Sequence, residues 1–259
     1  MTDAPERALI CAARQAVIQA LEQELAELSA VPHVAHDPSE WPAQPPTLAF
    51  LDLERGTDQV RAARHAFGPD IPLIALVDNE SASRLIAAFA AGCEDYVFFP
   101  LNRDELKLIW RKHRESSRKP APSRASSDRI ALEFPSDVAY LEEAVGEIVR
   151  ACEEREVSAD RARLNLRVAL GEAVSNAILY GNRQDPFKRV RVRAEFATDR
   201  VAVTVTDEGT GFDPAVVPDP TRPENRWRSH GRGLFLLQSL MDAVEYNEVG
   251  NAVTLVLLR

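Results

Sequence analysis

Up to Arg114 the chain alternates short, unbroken apolar runs with stretches of helical period. The runs RALICAA (7–13), TLAFLDL (47–53), IPLIALV (71–77) and DYVFF (95–99) read as strands. RQAVIQALEQELAEL (14–28) and NRDELKLIWRKHR (102–114) read as helices, with further helical stretches between the strands. Continuous apolar strands alternating with helices predict an α/β domain, a flavodoxin-like parallel sheet covered on both faces. From Arg114 to Arg129 the sequence RESSRKPAPSRASSDR turns to Ser, Pro and basic residues, the composition of a linker. Beyond it the pattern changes. DVAYLEEAVGEIVRACEER (137–155) and ADRARLNLRVALGEAVSNAILYGN (159–182) read as two successive amphipathic helices. RVRVRAEFA (189–197) and RVAVTVTDEG (200–209) alternate as a hairpin turning through Thr198 and Asp199. A proline-rich loop, the helical GLFLLQSLMDAV (233–244) and a last strand, AVTLVLL (252–258), complete the chain. Helices grouped ahead of a hairpin predict an α+β sandwich, with helices on one face of a mixed or antiparallel sheet. The expected division is therefore a first domain over 1–115, a linker over 116–128 and a second domain over 129–259. No internal repeat is visible.

Composition narrows the function classes. Of 259 residues, 45% are hydrophobic and 27% charged, the balance of an ordinary globular protein. A net charge of −9 argues against a general nucleic-acid binder, which needs a basic face. Cys11, Cys93 and Cys152 are scattered and odd in number, so neither a disulfide framework nor a cysteine zinc site is expected. The start, MTDAPERALICAA, lacks a basic region followed by an apolar one, and no apolar run reaches bilayer length. These features predict a soluble, cytoplasmic protein that binds neither membrane nor nucleic acid.

Three stretches of the second half carry chemistry only when taken together. Glu172 and Asn176 lie four residues apart on one face of an apolar helix, where neither residue type is favoured. In VTDEGTGFDP (205–214) a strand runs into Asp207, followed by Gly209 and Gly211, which permit positive φ and close approach of a ligand to the backbone. In HGRGLFLLQSL (230–240), Gly231 and Gly233 open a helix, whose bare amides suit phosphate oxygens. Alone, each is ordinary: a surface pair, a β-turn, a turn before a helix.

Their order and spacing resemble the N, G1 and G2 boxes of the GHKL, or Bergerat-fold, ATPases over Arg129 to the end of the chain. Within that superfamily, LEFPSDVAYLEEAVGEIV (132–149) followed by LNLRVALGEAVSNAILYGN (164–182) resembles the serine-kinase anti-sigma factors of sporulation and stress switches. The resemblance implies that Asn176 ligates Mg²⁺ on the phosphates of ATP and that Glu172 is the general base. It also implies that Asp207 accepts from the adenine amino group, that Gly209 and Gly211 let the chain approach the base, and that Gly231, Arg232, Gly233 and Leu234 line the phosphates. Between Phe212 and His230, a loop carrying Arg222, Arg226 and Arg228 is expected to act as a lid. Its arginines meet phosphate or a partner, or are simply solvated. His113, in WRKHRES, lacks the context of a phosphorylatable histidine and is expected to cap or solvate the end of its helix.

The first half resembles the receiver domains of response regulators, through its strand order and AAGCEDYVFFP (90–100), with most of their chemistry missing. Ala12 and Ala13 stand where an acidic pair holds Mg²⁺, Val77 at the hydroxyl position and Phe99 at the lysine position. Only Asp52 survives. A pseudo-receiver that binds, dimerises or gates is expected, with Phe98 and Phe99 either a docking face or a packed core edge. Together the resemblances imply an ATP-dependent serine/threonine kinase of a partner-switching system, acting on a STAS-type anti-anti-sigma protein and able to hold a sigma factor. A nucleotide-gated binding module without transfer activity, or a catalytic domain phosphorylating another protein's histidine, are the alternatives. Homodimerisation is common in the resembled family, but no heptad seam specifies it here.

Overall fold

The computed structural model describes residues 6–78, 82–114, 123–126, 128–157, 161–217 and 232–259. The described residues up to His113 form one compact unit and those beyond it a second.

The first unit runs β1 (Arg7–Cys11), α1 (Gln15–Glu27), β2 (Val31–Ala35), β3 (Leu48–Asp52), α2 (Asp58–Phe67), β4 (Leu73–Asp78), α3 (Ala82–Ala91), β5 (Asp95–Phe99) and α4 (Arg103–Arg114). All strand pairings are parallel, in the order β2-β1-β3-β4-β5. This is the flavodoxin-like order, whose topological switch lies between β1 and β3. Every residue of β3 is buried, as a central parallel strand requires. Ile10, Phe50, Leu76, Val97 and Trp110 belong to one apolar core. The strand β2, VPHVA, was not expected from the sequence. Pro32 cannot donate to a ladder, and an edge position tolerates it. Nor does a helix link β2 to β3. A single tight turn, Pro38–Glu40, is capped by Asp37 and followed by Pro42, Pro45 and Pro46, which cannot continue a helix.

The second unit runs β6 (Ser123–Ala125), β7 (Arg129–Pro135), α5 (Leu141–Glu154), α6 (Arg167–Asn176), β8 (Arg189–Phe196), β9 (Arg200–Thr206), α7 (Arg232–Leu240), β10 (Ala243–Tyr246) and β11 (Ala252–Leu258). Its six strands pair antiparallel throughout, in the order β10-β11-β9-β8-β7-β6. Alternation builds it: Val190, Val192, Val201, Val203, Val205, Leu255 and Leu257 point inward and are buried, while Arg189 and Arg193 are exposed. Each such buried Val or Leu contributes roughly 1.5–3 kcal/mol. The helix α6 packs against α5 and α7 and lies on β9 and β11. It extends at both ends through wider π-type turns, Arg161–Leu166 and Ala177–Gly181. Three strands escaped the sequence reading. One of them, β6, uses Ser123–Ala125 from the expected linker, so part of 116–128 belongs to the second sheet. Another, β10, begins at Ala243, inside the stretch read as helical up to Val244. The third is β7.

Candidate functional site

The described part of the site is assembled along α6 and its C-terminal turn. Glu172 and Asn176 share a face one turn apart, and Asn176 Nδ2 donates to Glu172 Oε1 at 2.9 Å. A carboxylate only accepts, so this contact fixes which way the amide points. Asn176 Oδ1 is thereby turned away from Glu172, and among the described residues it takes no hydrogen bond. An oxygen so presented suits a hard cation. Gly233, in the first turn of α7, sits directly over the pair. An added Cβ there would overlap Glu172 Oε1 and lie 3.1 Å from Asn176 Nδ2. Only glycine lets α7 come this close to the two polar side chains.

Asp207 follows β9 and is half-buried. Its Oδ1 accepts from the Gly209 amide at 2.7 Å, while Oδ2 takes no hydrogen bond among the described residues. Burial pushes its pKa upward, opposed by the Gly209 amide and the charge of Lys188. Two glycines form the wall. A Cβ at Gly181 would overlap the Asp207 carboxylate, and one at Gly209 would overlap the Gly181 carbonyl. The result is a carboxylate in a slot of bare backbone, with one oxygen available to a donor. Gly211 has φ +73, and an added Cβ would overlap the Val249 carbonyl, seating this loop on the turn at Gly250. Phe212 packs edge-on to Tyr246, with ring centroids 5.4 Å apart. Gly181 and Glu172 are nine residues apart on one continuous helix, so the two clusters are separated by roughly 13 Å of rise.

Of the residues expected to line phosphate, Arg232 is buried and Leu234 half-buried on α7. Gly231 and the loop arginines Arg222, Arg226 and Arg228 lie outside the described residues. The sequence reading assigned no role to Asn182, a completely buried asparagine immediately after Gly181. Its only sequence signal was Gly-Asn at the end of a helical pattern, which a C-cap also explains.

The corresponding crevice of the first unit, at the C-terminal ends of β1 and β3, is occupied by the chain itself. Arg14 Nε donates to Asp52 Oδ2 at 2.8 Å and Nη2 to Asp52 Oδ1 at 2.7 Å, a bidentate pair. Arg14 Nη1 reaches Asp78 Oδ1 at 2.5 Å. Its guanidinium also lies over the Phe99 ring, 5.5 Å from the centroid. Burial works against the charge, yet the bonds to Asp52 and Asp78 hold Arg14 more firmly protonated than usual. Phe98 is buried against Tyr96, so it is core edge and not docking face. His113 is not solvated: its Nε2 lies 3.1 Å from Asp95 Oδ2, which Lys112 also holds at 2.9 Å.

An antiparallel sheet carrying this helical layer and these two clusters has the form of a histidine kinase-like ATPase domain, and the model of that family matches residues 134–257. An anti-sigma F factor of Clostridium beijerinckii is 31% identical over 139 residues, 51% of this chain and 94% of that protein. The chain belongs to this family of ATPase domains. A serine-protein kinase RsbW of Listeria innocua is 26% identical over 136 residues, 49% of this chain and 85% of that protein. Among solved structures, a two-component response regulator from Clostridium difficile aligns with 43% of this chain and 99% of its own, at 20% identity and a TM-score of 0.39. The fold of the first unit stands on its own strand order. No helix among the described residues is long and apolar enough to cross a membrane.

Proposed function

We propose that the chain is an ATP-dependent serine/threonine protein kinase of a cytoplasmic partner-switching system, phosphorylating a STAS-type anti-anti-sigma protein and able to hold a sigma factor. One observation carries the reading: the Asn176–Glu172 pair packed beneath Gly233. A module that only bound nucleotide would have no need of a carboxylate there. The residues fit ATP and Mg²⁺, because the glycine cradle around Asp207 leaves one carboxylate oxygen for the adenine amino group and Asn176 Oδ1 faces away from its partner. Asp207, Gly209 and Gly211 would hold the base, Asn176 the magnesium, and Gly231, Arg232, Gly233 and Leu234 the phosphates. When bound, ATP supplies the γ-phosphoryl group, with its charge neutralised by the metal.

Glu172 takes the proton of the incoming serine or threonine hydroxyl as that oxygen becomes the nucleophile. Asn176 Nδ2, bonded to Oε1, fixes the carboxylate so that its other oxygen serves as base. The packing of α7 over the pair leaves Glu172 half-buried, which partly shields the carboxylate from bulk water.

The test is incubation of the full chain with γ-labelled ATP, Mg²⁺ and a STAS-domain protein, with the labelled residue mapped by mass spectrometry. Label on a serine or threonine is the expected result. Label on a histidine moves the chain to the histidine-phosphorylating class, and tight ATP binding without label makes it a nucleotide-gated binding module.

A further inference from the structure

A closed ring of three hydrogen bonds stands beside Asp207. Asn182 Nδ2 donates to the Arg189 carbonyl at 2.9 Å, the Arg189 amide donates to Glu208 Oε2 at 3.0 Å, and the Glu208 amide donates to Asn182 Oδ1 at 2.8 Å. Each residue gives one bond and takes one. The ring joins three pieces of chain that are distant in sequence: the turn closing α6, the start of β8 and the segment leaving β9. Asn182 is also anchored through its own amide to the Ala177 carbonyl at 2.8 Å. Arg191 Nη2 steadies the Glu208 carboxylate at 2.8 Å, and these contacts hold that carboxylate below its usual pKa.

The position of the ring matters more than its strength. Asn182 follows Gly181, and Glu208 follows Asp207, so the ring crosslinks the two backbones that form opposite walls of the carboxylate slot. Those walls already touch, since neither Gly181 nor Gly209 has room for a Cβ. A small shift of either wall moves the Asp207 carboxylate relative to the opening. An asparagine suits this place because it offers one donor and one acceptor from a single planar group, satisfying a backbone carbonyl and a backbone amide together. Its complete burial shields both bonds from water.

We infer that Asn182 is a positioning residue for nucleotide recognition: through the ring with Glu208 and Arg189 it sets the aim of Asp207 and thereby the preference for adenine over guanine. This rests on the proposed nucleotide reading. Adenine presents an amino donor where guanine presents a carbonyl acceptor. A carboxylate acceptor rewards the first and repels the second, but only while it is held on target. A misaimed Asp207 weakens ATP more than GTP, so the selectivity narrows as well as the affinity.

The experiment measures Kd for ATP and for GTP by calorimetry on the full-length wild type, Asn182→Ala and Glu208→Ala, with circular dichroism and thermal unfolding of each. Glu208→Ala breaks one bond of the ring at a partly exposed side chain, so it tests the ring even if Asn182→Ala does not fold. ATP binding by either folded variant is expected to weaken roughly tenfold, with the ATP-over-GTP ratio falling by a similar factor. Equal weakening of both nucleotides, or a lower melting temperature with unchanged selectivity, makes the ring merely structural and overturns the inference. A folded wild type that binds neither nucleotide contradicts the nucleotide reading itself, which separates the two failures.

Discussion

Each unit carries polar chemistry where the chain leaves the C-terminal end of a strand, and the two places are furnished in opposite ways. In the first, Arg14 is drawn into the switch point between β1 and β3 and spends its guanidinium on Asp52, Asp78 and the face of Phe99. In the second, glycines at 181, 209 and 233 keep side chains out, and two acceptors, Asn176 Oδ1 and Asp207 Oδ2, remain unused among the described residues. A crevice binds ligand when its walls are bare and its polar groups incompletely satisfied. It becomes a structural joint when the chain supplies its own counter-charge. The first unit's crevice thus holds an internal ion cluster, while the second sets bare glycine backbone around acceptors left unused among the described residues.

That contrast can be broken at either end. The largest effect is expected at the base. Glu172→Ala should lower phosphoryl transfer about a thousandfold while ATP binding is retained, measured by labelled transfer beside calorimetry. Unchanged turnover would remove Glu172 from the base role. In the first unit, Arg14→Ala strips the counter-charge from the buried Asp52 and should cost about 3 kcal/mol in chemical denaturation. ATP binding should be untouched. Pairing Arg14→Met with Asp52→Asn should recover much of the loss, because the penalty comes from an uncompensated charge.

Crowding the bare glycine backbone of the second unit is the converse experiment. Gly209→Val places a branched side chain where even a Cβ meets the Gly181 carbonyl, and ATP affinity should fall about a hundredfold in folded protein. The smallest effect is a pH dependence. Burial raises the Asp207 pKa, so the folded chain holds that proton at a pH where the unfolded chain has released it. From this group, the unliganded protein gains stability as pH falls through the raised pKa. ATP binding, which needs the ionised oxygen, weakens over the same range, beginning above the ordinary Asp value of about 3.9. A pH series of ATP Kd, in wild type and Asp207→Asn, checks the direction; the variant should bind weakly and without that dependence.

What the sequence revealed and what it concealed follow from how local the signals are. The alternation in β8 and β9 and the i,i+4 placement of Glu172 and Asn176 are written in neighbouring residues, and they were legible. The strand β2 was not, because Pro32 and His33 interrupt its apolar run and its edge position does not demand one. The role of β6 was hidden in a composition typical of linkers, since an edge strand of three residues needs no apolar face. Arg14 was invisible for a different reason. Nothing local marks Arg14, whose place shows itself only through Asp52 and Asp78, 38 and 64 residues away. Asn182 is similar, with one ring partner 7 and the other 26 residues distant. Side chains that act by bridging distant backbone leave no pattern in sequence until the fold brings their partners together.

The second unit is expected to bind nucleotide. Calorimetric titration of the purified full-length chain with ATP, with and without Mg²⁺, tests it most directly. Micromolar binding that depends on Mg²⁺ is the predicted result. Folded protein that takes up no ATP under either condition would contradict the account, leaving both units as scaffolds whose polar clusters serve structure alone.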